Sequence, residues 1–520
     1  MGRESIGYRI YTITYLSFAL LIVLPIAWTL LSVFFTEGSL NDNLGFLDKK
    51  ILLLLGKSAL LAFLVALFST LLGTMTGFLL NKTNVVFRGF FKVSLLIPLF
   101  ISPYILSVAW KDFFFLVFGN SGFISSFFGV GLVLTTIYTP LSMIITGSAL
   151  SNINKQLEES GFMITNFRRV SLKITLPLIK PALISSFVLI FIFSISEFSV
   201  PAFFGVKVFT TEIFTQFSAF YNHSMAILQS SLLILICILL LFTEGKYLAE
   251  APFLSVGSKG TSNKTYNIKN GFSLLFLSGW LSISVALPFI TLFIQSFKGG
   301  TDKIIQAVGL LKPTFANSIG LAFTGALIIT FIGFVAAYGT RTKKGTSFDW
   351  LLLVVFAIPS TIFGISLIKF YNHPFLDVIY SGYAIILIGY AGKFSFIAAR
   401  LIGNAMKQLP DSLDEAAQIE GISEINRLRK ITIPLIIPSL FAAFIISFIF
   451  SLGELGTTIM VYPPGTEIMP IKVFTIMANA PQSLTSSMTL IVFSVTLLII
   501  IGFYFLAKPL VKDHNSYVQN

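Results

Sequence analysis

Twelve apolar runs, each close to 20 residues long, follow one another along the chain at about residues 10–35, 58–80, 90–110, 130–150, 181–204, 226–243, 272–297, 317–340, 349–369, 380–403, 435–460 and 486–507. A helix needs about 20 residues to cross a hydrocarbon core about 30 Å thick, so each run predicts one membrane-spanning helix. The first follows Arg3 and Arg9 but has no small-x-small cleavage site, which predicts a retained span and not a leader. The expected fold is therefore an all-α integral membrane protein with about twelve transmembrane helices.

The polar residues between the runs orient them. With the N-terminus on the cytoplasmic side, most of the 35 Lys and Arg fall in loops on that side, so both termini are expected to face the cytoplasm of a plasma (bacterial inner) membrane. That placement accounts for the net charge of +13 and leaves no basic patch for nucleic acid. Of 520 residues, 55% are hydrophobic and 11% charged, too little polar surface to coat a soluble globule. The single cysteine, Cys237, lies inside the sixth run, so neither an internal disulfide nor a Cys-based metal cluster can form.

The chain also repeats. Shifted by 257, EESGFMITNFRRVSLKITLPLIKPAL (158–183) lies over EAAQIEGISEINRLRKITIPLIIPSL (415–440) with nine of 26 positions identical, and the register continues to pair Glu197 with Glu454. A shift of 260 pairs Gly73 with Gly333. Six runs per half is an even number, so the copies share one orientation and form two parallel six-helix repeats. The boundaries read as 1–250 for the first repeat, 251–271 for a Gly/Ser/Lys-rich linker on the cytoplasmic side, and 272–520 for the second.

Between spans ten and eleven lies a charged island of about 30 residues, and its first copy lies between spans four and five. Ser412 with Glu415 three positions on reads as a capping box, and Leu413, Ala416, Ile419 and Ile422 form an apolar stripe on a loop that faces water. Gly421 can take positive φ and end that helix, Ser423 can cap a second one, Pro434 should stop it, and Pro438 suits the first turn of the next span. The pattern predicts helix, bend, helix: an elbow, one per half, built to dock on a partner, or else to rest on lipid headgroups.

EAAQIEGISEINRLRKITIP resembles the EAA signature of permease subunits of binding-protein-dependent ABC importers. The resemblance implies a type I importer permease fold with EAA loops at 151–180 and 404–434, each elbow seated on a cytoplasmic ATPase. It implies coupling roles for Glu415, Ala416, Ala417, Gly421, Ile431 and Pro434, with Ile433 replacing the usual leucine. In the first copy Glu158, Ile174, Leu176 and Pro177 match, but Glu159, Ser160 and Ile164 stand where Ala, Ala and Gly are expected. Gly161 could supply a displaced bend there, and the two elbows are expected to couple unequally, the second more tightly. GELGTTIMVYPPGTEIMPIKVFTIM (453–477) and SEFSVPAFFG (196–205) look like stretches of ferric-iron-type permeases, and importers for thiamine, phosphonate and polyamine have similar ones. The expected partners are two ATPase subunits, an external solute-binding protein and membrane lipid.

The chemistry elsewhere is sparse. No GxxxxGK[ST] loop is present, and GTRTKKGTS (339–347) lacks its core, so ATP is expected to be hydrolysed by another chain, with no cofactor bound by this one. No converging catalytic set appears, which argues for a transport subunit and against an enzyme. Glu197 and Glu454, acids inside apolar runs, are candidates for the translocation path as oxygen donors to a hard cation, or else bonds between helices. Lys369 and Lys393 read as snorkelling or pairing residues, and His223, His373 and His514 show no metal-ligand spacing. A secondary transporter is the competing class, but NKTNVVFRG (81–89) lacks the Gly-x-x-x-Asp-Arg-type pattern expected between its second and third spans.

Overall fold

The computed structural model describes residues 6–35, 48–248, 270–341 and 346–517. Residues 251–269 of the 251–271 linker and the core of the GTRTKKGTS loop lie outside these residues, and so does the side chain of His514. Among the described residues the regular structure is helical.

Among the described residues nine helices are long and apolar enough to cross a membrane, and three more pairs qualify as bent spans. The nine are the predicted spans one, two, four, six, seven, eight, ten, eleven and twelve. The third and ninth spans are corrected from continuous helices to broken ones, and the fifth is preceded by a bent helix. Arg88–Phe100 and Pro103–Phe118 meet at 99°, Ser347–Ala357 and Ser360–Tyr371 at 103°, and Phe167–Leu178 and Lys180–Ser196 at 63°. The two sharp breaks are 257 residues apart, the register of the repeat, and each has a proline at or beside it, Pro103 in one and Pro359 in the other. A proline supplies no N–H and disfavours helix in the residue before it, so the break sits where the sequence is least able to continue a helix.

A second proline device recurs four times. Each of the π turns Ala19–Val23, Ser171–Thr175, Ser282–Ala286 and Leu428–Thr432 ends two residues before a proline, namely Pro25, Pro177, Pro288 and Pro434. Widening the helix by one residue relieves the clash between the pyrrolidine ring and the carbonyl four residues back. Pro434 therefore does not stop its helix: Glu424–Gly453 runs as one span, with Pro438 inside it. Near Pro25, the orphaned carbonyl of Leu21 accepts a 2.8 Å bond from the Tyr371 hydroxyl.

The chain folds into two compact units whose limits differ from those of the repeats. One comprises 41–308 and 476–490; the other comprises 1–40, 309–475 and 491–520. Each unit thus borrows the first span of the opposite half. In the 41–308 unit the helices Lys49–Lys82, Phe127–Ser151 and Lys180–Ser196 form the core. Gly73 and Gly77 let the first two approach closely: a Cβ on Gly77 would stand 3.0 Å from Thr146 Oγ1. Ser186 closes the trio with hydroxyl contacts of 3.3 Å to Thr70 and 3.1 Å to Ser142. In the other unit Gly333 makes the corresponding approach to Ala398, and Gly325 lies against Tyr390.

The breaks leave peptide groups that lipid cannot satisfy. At the 103° break Lys393 donates to the carbonyls of Ile358 at 2.7 Å and Phe356 at 3.4 Å, so this lysine completes a backbone and does not snorkel. Lys369 reaches Ser32 Oγ at 2.8 Å. Replacing Lys393 with Met strands both carbonyls and is expected to cost about 1–3 kcal/mol, read as a lower Tm in detergent, with Lys393→Arg recovering part of the loss. An unchanged Tm for Lys393→Met would remove this role.

Candidate functional site

Each elbow begins with a short amphipathic helix, Lys155–Ile164 in the first and Asp411–Ile419 in the second. The second starts one residue ahead of Ser412, after Pro410, and has no side-chain cap, so the predicted capping box is not formed. Ser423 occupies the N-cap position of Glu424–Arg427, also without a side-chain cap bond.

The two bends are made differently. At the second, Gly421 sits at φ +70, Ile422 N–H donates back to Ala417 O at 3.0 Å and Gly421 N–H to Gln418 O at 3.0 Å. This is a Schellman turn, in which the left-handed residue lets the last carbonyls be bonded without a Cβ clash. The first elbow carries Ile164 at that position, and its helix continues through it to an extended Thr165. Asn166 then caps Phe167–Val170 through Oδ1, accepting from Arg169 N–H at 3.2 Å. Gly161 does not supply the bend; it is helical and buried, and a Cβ there would stand 2.7 Å from Ile174 Cδ1 and 3.1 Å from Val170 Cγ2. Its role is to let the elbow helix close onto the next one.

The paired glutamates also part company. Glu158 is 3% exposed, its Oε2 2.6 Å from Lys82 Nζ and its Oε1 accepting from Thr175 Oγ1 at 2.9 Å. Lys82 ends the long Lys49–Lys82 helix, so this carboxylate pins the elbow to a membrane span. Glu415 is exposed. In the 260 register that pairs Gly73 with Gly333 in this helix, Lys82 falls on Thr342, so the second elbow has no lysine at the pinning position. Instead Glu424 accepts from Tyr338 Oη at 2.9 Å, with Gly7 of the first helix packed against its carboxylate.

What the elbows share is uncovered apolar surface. Met163 and Ile164 are 91% and 88% exposed in the first, and Ile419 is 85% exposed in the second, where Leu413, Ile422 and Ile425 are also exposed. Of the residues assigned by resemblance, Ala417 is buried under its own helix, Ala416 and Pro434 are exposed, as is Pro177, and Ile174, Leu176 and Ile431 are half-buried. An exposed apolar face beside charged side chains suits either a partner surface or the lipid headgroup layer.

At the opposite end of the following span, about 25 Å away by the 17 residues of Lys180–Ser196, lies Glu197. Glu454 ends Ile433–Gly453 in the same way. The predicted spans to 204 and 460 therefore stop earlier, at Ser196 and Gly453, and a short helix follows each: Ser199–Phe204 and Thr458–Val461. Both carboxylates cap those short helices. Glu197 Oε1 accepts from Ser199 N–H at 2.8 Å, and Tyr138 Oη lies 3.4 Å from Oε2. Glu454, 8% exposed, accepts from Thr457 N–H at 2.6 Å, from Thr458 N–H at 2.9 Å and from the Thr458 hydroxyl. A carboxylate at a helix N-terminus meets both the free N–H groups and the positive end of the dipole.

The sequence reading passed over Asp112. It is buried in Pro103–Phe118, where its carboxylate accepts from Gln482 Nε2 at 2.5 Å and from the Ser486 hydroxyl at the start of the last helix. An acid two residues past the third apolar run, followed by three phenylalanines, is the available signal. Among the described residues no group of three or more His, Cys, Asp or Glu could hold a metal ion.

A family model described as binding-protein-dependent transport system inner membrane component matches this sequence twice, at residues 69–245 and 329–512. An Fe(3+)-transport system permease protein of Haemophilus influenzae is 26% identical over 435 residues, 81% of this chain and 83% of its own. A ferric transport system permease protein of Actinobacillus pleuropneumoniae is 23% identical over 503 residues, 87% and 72% of the two chains. A putative 2-aminoethylphosphonate transport system permease protein of Salmonella paratyphi A is 27% identical over 247 residues, 43% of this chain and 89% of its own, so it has the length of one half.

The buried pair gives a direct test of how the first elbow is held. Lys82→Met alone leaves Glu158 charged and unpaired, and is expected to cost about 3–5 kcal/mol, whereas the double variant Lys82→Met/Glu158→Leu should recover most of it. Thermal unfolding of the purified chain reads both; equal losses for the single and double variants would show that the ion pair does not set the elbow.

Proposed function

The chain belongs to the family of inner membrane components of binding-protein-dependent transport systems, a multi-pass transport permease that works with an ATPase and a solute-binding protein, and we propose that the solute it passes is ferric iron. The observation that carries the coupling half of this reading is the pair of elbows, one per repeat, each offering exposed apolar residues beside charges. Two such knobs from parallel repeats fit two ATPase subunits. In this reading the elbows and both termini face the cytoplasm, ATP is bound and hydrolysed by the partner, and this chain binds no cofactor.

The unlike construction of the elbows supports unlike roles for them. The second, turning on Gly421 and presenting Glu415 to solvent, is the main lever. The first, locked to a span through Lys82, follows as a rigid extension of the membrane domain. Closure of the ATPases would move the lever, and the short capped helices after Glu197 and Glu454 lie at the end of the span where an outward gate must sit. Glu197 and Glu454 would then hold that gate's backbone in register, and with carboxylate oxygens still able to accept they could meet a hard cation in transit.

Iron as cargo rests on the ferric-transport relatives, which match both halves. The alternative cargo is a phosphonate, with thiamine and polyamines behind it, and it rests on the relative that matches one half. A twelve-span secondary transporter does not account for the double family match.

The test is reconstitution of the chain with its ATPase and binding protein in vesicles. ATP-dependent uptake of ferric iron, with Gly421→Val lowering it at least tenfold and Gly161→Ala changing stability more than coupling, is the expected result. Uptake of 2-aminoethylphosphonate but not iron would replace the cargo, and uptake without any ATPase would overturn the assignment. Crosslinks from both elbows to the ATPase with equal yield and equal sensitivity to mutation would remove the asymmetry.

A further inference from the structure

At the elbow end of the 41–308 unit, the segment leading into the third span carries two cations. Arg88 Nη2 and Lys92 Nζ converge on one neutral acceptor, Asn81 Oδ1, at 3.3 and 3.2 Å. Asn81 is itself fixed, donating to Gly77 O at 2.8 Å and lying so close to Gly147 that a Cβ there would stand 2.8 Å from its Nδ2. Among the described residues neither cation takes part in an ion pair. Arg88 Nε is buried and has no partner. One amide oxygen shared by two positive groups leaves most of their N–H donors unused, and brings like charges together with no acid between them.

The surface around this pair is apolar. Phe87, Phe90 and Val93 are 74%, 59% and 56% exposed. Phe87 is one of only two non-glycine residues at positive φ among the described residues, at +58, a backbone setting that a bulky residue adopts only when its surroundings hold it there. The opposite face of the same helix is already committed: Phe91 and Leu95 pack with Leu79, Leu80, Val85 and Leu277 in a closed cluster. The segment thus presents cations and large apolar side chains on its open side.

We propose that Arg88 and Lys92 form a binding site for the phosphate of an anionic phospholipid, with Phe87, Phe90 and Val93 set among its acyl chains. The guanidinium fork fits two phosphate oxygens and the lysine supplies a point charge, while an anion between them would remove the repulsion that the structure otherwise carries. Apolar residues flanking basic ones match the depth profile of a bilayer interface, where anionic headgroups lie just outside the hydrocarbon. The site is next to the Lys82–Glu158 pair, six residues along the chain from Lys82, so a bound lipid would stiffen the base of the first elbow.

The full-length chain is purified in detergent, exposed to phosphatidylglycerol or phosphatidylcholine, and the retained lipid counted by native mass spectrometry. Phosphatidylglycerol should be held preferentially and should raise the Tm. Arg88→Gln/Lys92→Gln should lower its retention at least fivefold, Arg88→Lys should keep most of it, and the control Lys49→Gln/Lys50→Gln should not change it. If the double glutamine variant fails to fold, the preference of the unaltered chain for phosphatidylglycerol and the behaviour of Arg88→Lys still decide. Equal retention of the two lipids overturns the proposal. So does a Tm increase from inorganic phosphate matching that from the lipid, which would make this a free-anion site. Loss of ATPase co-purification in the glutamine variant with lipid retention unchanged would assign the cations to a protein partner instead.

Discussion

A peptide group inside hydrocarbon has no water to bond, and this governs the places where the chain leaves regular helix. At the 103° break of the ninth span, a lysine from another helix bonds the freed carbonyls. Where a span ends short of the surface, a glutamate at its last turn bonds the free N–H groups of the helix that follows. Where a proline removes a donor near the first π turn, a tyrosine hydroxyl takes the carbonyl. Each of these side chains is polar or charged within an apolar run, and each would be costly there without its backbone partner. Irregular backbone is tolerated at membrane depth because the fold brings such groups to it.

The same constraint separates the structural acids from those free to act on a partner. Glu454 and Glu158 are buried and each is held by a neighbour, one by a helix N-terminus and one by a lysine. Glu415 is exposed at the position equivalent to Glu158. A duplicated glutamate has therefore taken two tasks: bracing the membrane domain in one half and facing outward in the other. The glycine follows the same division. Gly421 turns the chain, whereas Gly161, three residues off register, makes room for a neighbour.

Exchange of first spans between the units has a mechanical consequence within each. The helix Leu24–Phe35 packs on Ser360–Tyr371, with Lys369 on Ser32 and Tyr371 bonding Leu21 in the π turn just ahead of it, and Ile6–Phe18 reaches the base of the second elbow at Glu424. The second elbow is thus steadied by a span from the other half of the sequence. In the 41–308 unit the borrowed span Gly271–Lys298 meets Pro103–Phe118, and Asp112 ties that half-helix to the start of the last helix.

The sequence by itself determined the membrane class, the approximate places of the twelve apolar segments, the duplication, and the two elbows, because these rest on hydropathy, charge placement and the spacing of a few glycines and prolines. It marked Glu197, Glu454, Lys369 and Lys393 as anomalies, since a charge in an apolar run is conspicuous without any structure. Tertiary structure decided what those charges do, which spans break, and which halves trade helices. A proline signals a weak point but not whether the helix there widens into a π turn, as at Pro434, or breaks, as at Pro359, because that outcome depends on the packing around it, which at Pro359 includes Lys393 bonding the exposed carbonyls. Likewise the pairing of Glu158 with Lys82, 76 residues earlier, leaves no local trace: burial and contact are properties of packed helices, and one-dimensional patterns do not record which helices meet.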